Sequence, residues 1–297
     1  MRFVLTLIAG RPDVLTPELA TVATASLLAS GAEIGPTVWL APGLACDIPF
    51  EAPDPEDHGA LPARLPSNLP LDLAIQPAEG RRKALLVADL ESTIIGQEML
   101  DELAEAVGLR DRIAGITARA MAGELNFAEA LNARVGLLKG LPAGALDEAG
   151  RRMTLNPGAR TLVQTLRAAG AATALVSGGF TCFAEPIAAA CGFETVVANR
   201  LLVEDGRLTG RVAEPLVDRD AKLATLERLA AEHGLTMDAA CAVGDGANDA
   251  AMLAAAGLGV AYRGKPAAQT AARVSIDHGD LTALLYLQGY RREEFRD

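Results

Sequence analysis

Histidine, cysteine and aromatic residues are all scarce in this sequence. Its 297 residues include 3 histidines, 4 cysteines and 1 tryptophan, and only 4% are aromatic. His58, His233 and His278 lie in polar stretches without metal-ligand spacing, so they read as surface or loop residues. Cys46, Cys182, Cys191 and Cys241 form no CxxC pair and read as reduced structural thiols of a cytoplasmic protein rather than a zinc site or disulfide framework. No apolar run is long enough to span a bilayer. The opening MRFVLTLIAGRPDVL lacks the long apolar core and cleavage site of a signal peptide and reads as a first strand. Positive charge is in deficit, with a net charge of -11, which disfavours nucleic acid and anionic membrane as partners. What remains is a chain half apolar by residue count, long enough for a sizeable core and two or three modules.

Residues 1–80 read as one small α+β module. RFVLTLIA is a strand, Thr16-Pro17-Glu18 opens a helix ending near Gly31, and TVWLAPG is a second strand. A segment rich in Pro and Asp follows, with strand-like pieces at its two ends, and Gly80-Arg81-Arg82 reads as a linker. KALLVAD is then a buried strand. From Gly96 to about Arg152 the apolar spacing is helical in three pieces, which fits a small bundle. After Asn156-Pro157-Gly158 helices and short apolar strands alternate. Gly170 and Gly234 close two of the helices, and a hairpin turns through Asp205-Gly206. This order implies an α/β fold: a mainly parallel, Rossmann-like sheet covered on both faces, residues 83–97 and 153–297, with helical segment 98–152 inserted as a cap.

Ligands of such sheets bind beyond the carboxyl ends of the strands. Three strand ends carry unusual polar groups: Asp89 and Glu91 after KALLVA, Ser177-Gly178-Gly179 after ATALV, and the run from Gly244 to Asp249 after ACAV. Lys222 lies early in the intervening helix and alone reads as a solvated residue. Together these groups suit phosphoryl transfer. Asp89 and Asp245 are hard oxygen donors fit for Mg²⁺, and an aspartate can attack phosphorus to form an aspartyl-phosphate. Lys222, Ser177 and glycine-turn amides can neutralise charge on the transferring group. Glu91, two residues past the nucleophile, can exchange a proton with the leaving oxygen and then with water.

The order D-x-E-S-T, Ser after the second strand, Lys, then G-D-x-x-x-D resembles the haloacid dehalogenase-like hydrolases. DLESTIIGQEMLDELA, AMAGELNFAEALNARVGLLKGLP, VSGGF, ANRLLVEDGRLTG and VGDGANDAAMLAAAGLG are similar to the phosphoserine phosphatase family across about 83–290. The resemblance implies a helical cap on the hydrolase core, an N-terminal module of ACT-like type, and Mg²⁺-dependent hydrolysis of O-phospho-L-serine in serine synthesis. It implies Asp89 as nucleophile, with Mg²⁺ held by Asp89, the Glu91 main-chain carbonyl and Asp245, supported by Asp249. Ser177, Gly178 and Lys222 would hold the phosphoryl group with Asn248 nearby. Glu98 would meet the substrate ammonium and Arg134 its carboxylate, a pairing that suits a zwitterion. Met121 and Phe127 would screen the site from water. The partner implied is this small molecule alone, with no nucleic acid or membrane; a homodimer is an assembly the sequence allows.

Glu91 departs from the family's usual Asp. One extra methylene displaces the carboxylate by about 1 Å, which can change a rate on the order of 10²-fold. The sequence leaves open a working phosphatase, transfer of phosphate to homoserine (a related phosphotransferase carries a similar D-L-E), or a weakened enzyme that serves as a phosphoserine-binding regulator.

Overall fold

The computed structural model describes residues 2–52, 69–121 and 124–297. The Pro/Asp-rich stretch 53–68, with His58, lies outside the described residues, as does the side chain of Met121.

The core is a six-stranded, wholly parallel sheet. Its strands are β6 (Leu85–Ala88), β7 (Ala172–Phe180), β8 (Thr195–Asn199), β11 (Ala240–Gly244), β12 (Leu258–Tyr262) and β13 (Val274–Ile276). Their order is β13-β12-β11-β6-β7-β8, which puts the KALLVAD strand in the middle. The period-2 alternation of that strand sorts its side chains to two faces. Leu85 and Val87 pack with Leu226 and Leu229 of α8 (Arg219–Glu232) and Met252 of α9 (Ala250–Ala255). Leu86 and Ala88 pack with Leu162 and Leu166 of α6 (Ala159–Ala168) and Phe183 of α7 (Thr181–Cys191). Both faces are therefore dry, as a parallel sheet requires.

The cap leaves the core between β6 and β7. Gly96 N–H donates to Thr154 C=O and Asn156 N–H to Ile94 C=O, so the outgoing and returning chains pair as a two-stranded neck. Beyond it lie α2 (Met99–Ala106), α3 (Arg110–Met121), α4 (Phe127–Gly136) and α5 (Gly144–Gly150). Asn126 opens α4 with a reciprocal cap shared with Glu129, the strongest local start signal in this segment. The hairpin β9 (Leu201–Glu204) and β10 (Arg207–Val212) turns through Asp205 and Gly206, both at positive φ. Gly140 N–H donates to Leu208 C=O, so this hairpin docks on the cap.

The N-terminal module is an antiparallel sheet of β1 (Phe3–Ala9), β2 (Glu33–Ile34), β3 (Val38–Ala41), β4 (Ala45–Glu51) and β5 (Leu71–Pro77) with α1 (Pro17–Ala29) on one face. This architecture is consistent with an ACT-like module. Its other face joins the core through apolar packing, with Ile8, Leu40 and Ala74 in one cluster with Leu281 and Tyr286, and through charged hydrogen bonds. Asp72 accepts the backbone N–H groups of Asp277, His278 and Gly279 in the turn after β13. Arg81, read from sequence as part of a linker, is instead held by Asp47, Thr6 and the carbonyls of Tyr286 and Leu287. A guanidinium with that many fixed acceptors is a rivet, not a tether.

Candidate active site

The carboxyl ends of β6, β7 and β11 meet over a cavity of about 330 Å³, roofed by the cap. Asp89 follows β6 directly, and its N–H donates to Val243 C=O of β11 at 2.9 Å, which fixes it beside the next strand end. There Asp245 stands, and one helical turn later Asp249. Carboxylate oxygens of Asp89, Asp245 and Asp249, all buried, lie within 4.8 Å of one another.

Lys222 is completely buried, contrary to the solvated reading of that residue by itself. Asp218 caps α8 by accepting from Asp220 and Ala221, which fixes the first turn and sends Lys222 inward. Its ammonium lies 2.6 Å from both Asp89 Oδ1 and Asp249 Oδ1. Asp249 Oδ2 accepts from the amides of Asp245 and Gly246. A Cβ on Gly244 would fall 2.4 Å from the Asp249 carboxyl carbon, so glycine is needed for this closeness. Burial pushes Asp89 well above the usual carboxylate range, with Lys222 drawing it back and Asp249 pushing it further up. Burial works to lower Lys222, but the two carboxylates outweigh it and hold the ammonium above its ordinary range. Three carboxylates surround one buried ammonium, and all the donors are hard oxygens. The set fits a divalent cation of the Mg²⁺ class.

At the end of β7, the Ser177 hydroxyl accepts from Gly179 N–H at 2.9 Å. Asn199 braces this turn by donating to Gly178 C=O and Val217 C=O. Glu91 is wedged against it: a Cβ on Gly179 would lie 2.9 Å from Glu91 Oε2. The other oxygen, Glu91 Oε1, accepts the N–H of Met99 at 2.8 Å, the first residue of cap helix α2. The Glu91 carboxylate thus touches the core with one oxygen and the cap with the other. Burial, assisted by the charge of Glu98, pushes Glu91 up to about 7, against the pull of the Met99 amide, Lys222 and Arg134.

The cap contributes the remaining lining. Glu98 accepts from the Ser92 hydroxyl at 2.7 Å, and burial raises its pKa above the ordinary glutamate value. Arg134 donates to Ala130 C=O and faces the charges of Asp101, Glu91 and Glu98, while burial lowers its pKa. The ring of Phe127 comes within 3.7 Å of where a Gly178 Cβ would stand. Asn248 also lines the cavity. Except for Met121, whose side chain is outside the described ones, the residues singled out in the sequence therefore gather at one place. Lys265, Asp101, Thr117 and Asn199 were not singled out. Lys265 follows β12 and lines the cavity, so the strand-end rule, extended to a fourth strand, is the signal that finds it, although its stretch AYRGKP looks like an ordinary turn.

A family model of the haloacid dehalogenase-like hydrolases matches residues 86–254. The chain is 40% identical over 289 residues to a phosphoserine phosphatase of Streptomyces coelicolor, covering 96% of this chain and 70% of that one. It is 45% identical over 214 residues to the phosphoserine phosphatase SerB2 of Mycobacterium tuberculosis, covering 72% of this chain and 52% of the relative, so it spans about half of that protein's length. A solved phospho-aspartyl intermediate analogue of phosphoserine phosphatase superposes with a TM-score of 0.64 at 38% identity, covering 69% of this chain and 98% of that one.

Proposed function

Because this chain belongs to the haloacid dehalogenase-like hydrolases, in the family of the phosphoserine phosphatases, we propose that it hydrolyses O-phospho-L-serine to L-serine and phosphate. The observation that carries this reading is the shared cavity: a buried Asp–Lys–Asp cluster on its floor and an acid and a base, Glu98 and Arg134, in its roof. A phosphomonoester with one ammonium and one carboxylate fits those two ends. A sugar phosphate offers neither an ammonium for Glu98 nor a carboxylate for Arg134.

In this reading an oxygen of Asp89 attacks phosphorus, the phosphorus–seryl oxygen bond breaks, and the leaving oxygen takes a proton from Glu91. Water then attacks the aspartyl-phosphate, gives its proton back to Glu91 and frees Asp89 with release of phosphate. Glu91 Oε1 is engaged by the Met99 amide, so Oε2 beside Gly179 carries the transferred proton. Lys222 and the amides of the Ser177–Gly179 turn balance charge on the phosphoryl oxygens. Asp89, Asp245 and the Glu91 carbonyl would hold Mg²⁺, with Asp249 behind them; when bound, the ion neutralises phosphoryl charge. Phe127 stands over Gly178 and would screen the phosphoryl group on that side from bulk water. Every side chain in this reading comes from one copy of the chain. The four cysteines stand as free thiols, which suits a reducing cytoplasm, and among the described residues no helix is long and apolar enough to cross a membrane.

The test is phosphate release from a panel of phosphorylated amino acids and sugars, with and without Mg²⁺, against an Asp89→Asn control. Turnover of phosphoserine that requires both Mg²⁺ and Asp89 supports the reading; phosphoserine turnover no better than the control ends it. Adding homoserine to the same assay and looking for phosphohomoserine separates hydrolysis from transfer.

A further inference from the structure

The three clustered carboxylates are not equally well held. Asp249 is fixed by Lys222 and two backbone amides, and Asp89 by Lys222. The Asp245 carboxylate, also buried, has one side-chain partner among the described residues: Lys265, whose Nζ lies 3.0 Å from Asp245 Oδ2. The two residues are tied a second time, Lys265 N–H donating to Asp245 C=O at 2.7 Å.

The turn that delivers Lys265 is built for the purpose of a fixed position. Arg263 sits in the left-handed region at φ 46°, a conformation unfavourable for a residue with a side chain. Its N–H is held by Ile276 C=O of the neighbouring strand. Gly264 follows at a point where a Cβ would fall 2.8 Å from the Ala261 methyl. Sheet, strained residue and glycine together aim the next side chain over the strand ends and into the cavity, which Lys265 lines.

We propose that Lys265 is a positioning residue of the cation site: by engaging Oδ2 it holds the Asp245 carboxylate in place beside the other two. The inference rests on the divalent-cation reading above. A simpler account treats Lys265 as an ordinary surface ion pair, since its side chain is 63% exposed. The two accounts differ in sign. If only charge mattered, removing a cation from the rim would strengthen binding of another cation. If Lys265 orients a ligand, removing it weakens binding, because outer partners of metal ligands commonly govern affinity by 10- to 100-fold.

Mn²⁺, which shares the oxygen preference of Mg²⁺, provides a readout independent of turnover. Free Mn²⁺ is titrated by electron paramagnetic resonance against wild type, Lys265→Met and Lys265→Arg, with thermal melts as the folding control. The expected result is Mn²⁺ affinity about tenfold weaker in Lys265→Met and close to wild type in Lys265→Arg. Equal or tighter binding by Lys265→Met, with wild type binding normally, overturns this inference and leaves the cation reading intact. A wild-type protein that takes up no Mn²⁺ removes both. Should Lys265→Met melt early, the titration is run below its transition, where the same tenfold loss supports positioning and equal or tighter binding overturns it.

Discussion

Glu91 offers the sharpest perturbation, since two substitutions separate its two contacts. Glu91→Gln keeps the length and an oxygen able to accept from Met99 N–H at 2.8 Å, but it cannot carry the exchanged proton. A positioned acid–base group is worth about 10²–10⁴-fold in rate, so kcat for phosphoserine should fall within that range while the cap stays tethered. Glu91→Asp keeps the proton but withdraws the carboxylate by about one carbon–carbon bond, roughly 1.5 Å, beyond reach of that amide unless α2 moves. A hydrogen bond to a charged group contributes about 1.5–3 kcal/mol. Losing it should speed hydrogen exchange at Met99 and the first turn of α2 by roughly ten- to hundredfold, with much of the activity retained. The pH profile adds a third reading. Burial holds Glu91 at about 7, so the proton needed in the first step is lost as pH rises through that value. The alkaline limb of kcat/KM should therefore centre near 7 in wild type and vanish in Glu91→Gln. A glutamine variant that keeps more than a tenth of wild-type kcat, with the same limb, would refute the proton-transfer role.

Three further outcomes can be checked on the same fold. Lys222→Met leaves two buried carboxylates without their ammonium, and removing one partner of a buried ionic group destabilises by about 3–5 kcal/mol; urea midpoints in metal-free buffer should show it, whereas a loss under about 1 kcal/mol would mean that the cluster is wetter than its burial implies. Asp72→Ala strips acceptors from three backbone amides of the 277–279 turn, of which only that of Gly279 belongs to a buried residue; at about 1–3 kcal/mol for a buried unsatisfied group it should destabilise the chain by about that amount, with exchange at those amides accelerating first, and an unchanged melt with unchanged exchange would contradict it. Burial pushes the Cys241 thiol up to about 12 from 9.0, so the stability of its neutral form is complete below pH 9 and is lost as pH climbs towards 12. The fall in stability between pH 8 and pH 10.5 should then be smaller in Cys241→Ala by about 2 kcal/mol, and identical falls in both proteins would contradict that burial.

Much of the site was legible because a parallel sheet converts sequence position into place. Asp89, Ser177 and Asp245 each end an apolar strand, and once β6, β7 and β11 are neighbours those ends must meet. Glycines at 179 and 244 strengthen the signal, since each marks a backbone that a carboxylate approaches closely. Other features depend on contacts that local sequence does not encode. Arg81 sits between Gly80 and Arg82 with the composition of a linker, and its partner Asp47 is 34 residues away across a sheet pairing. The residues of β9 and β10 read as a hairpin from Asp205-Gly206, but their docking on the cap rests on backbone contacts with Gly140 and Leu141, far away in the chain. Glu91 is the instructive intermediate case. From sequence its extra methylene appeared only as a displacement from the reacting atoms. In the folded chain one carboxylate oxygen lies against the Gly179 turn and the other accepts from the first amide of α2, so this single side chain bridges the core and the cap that covers it.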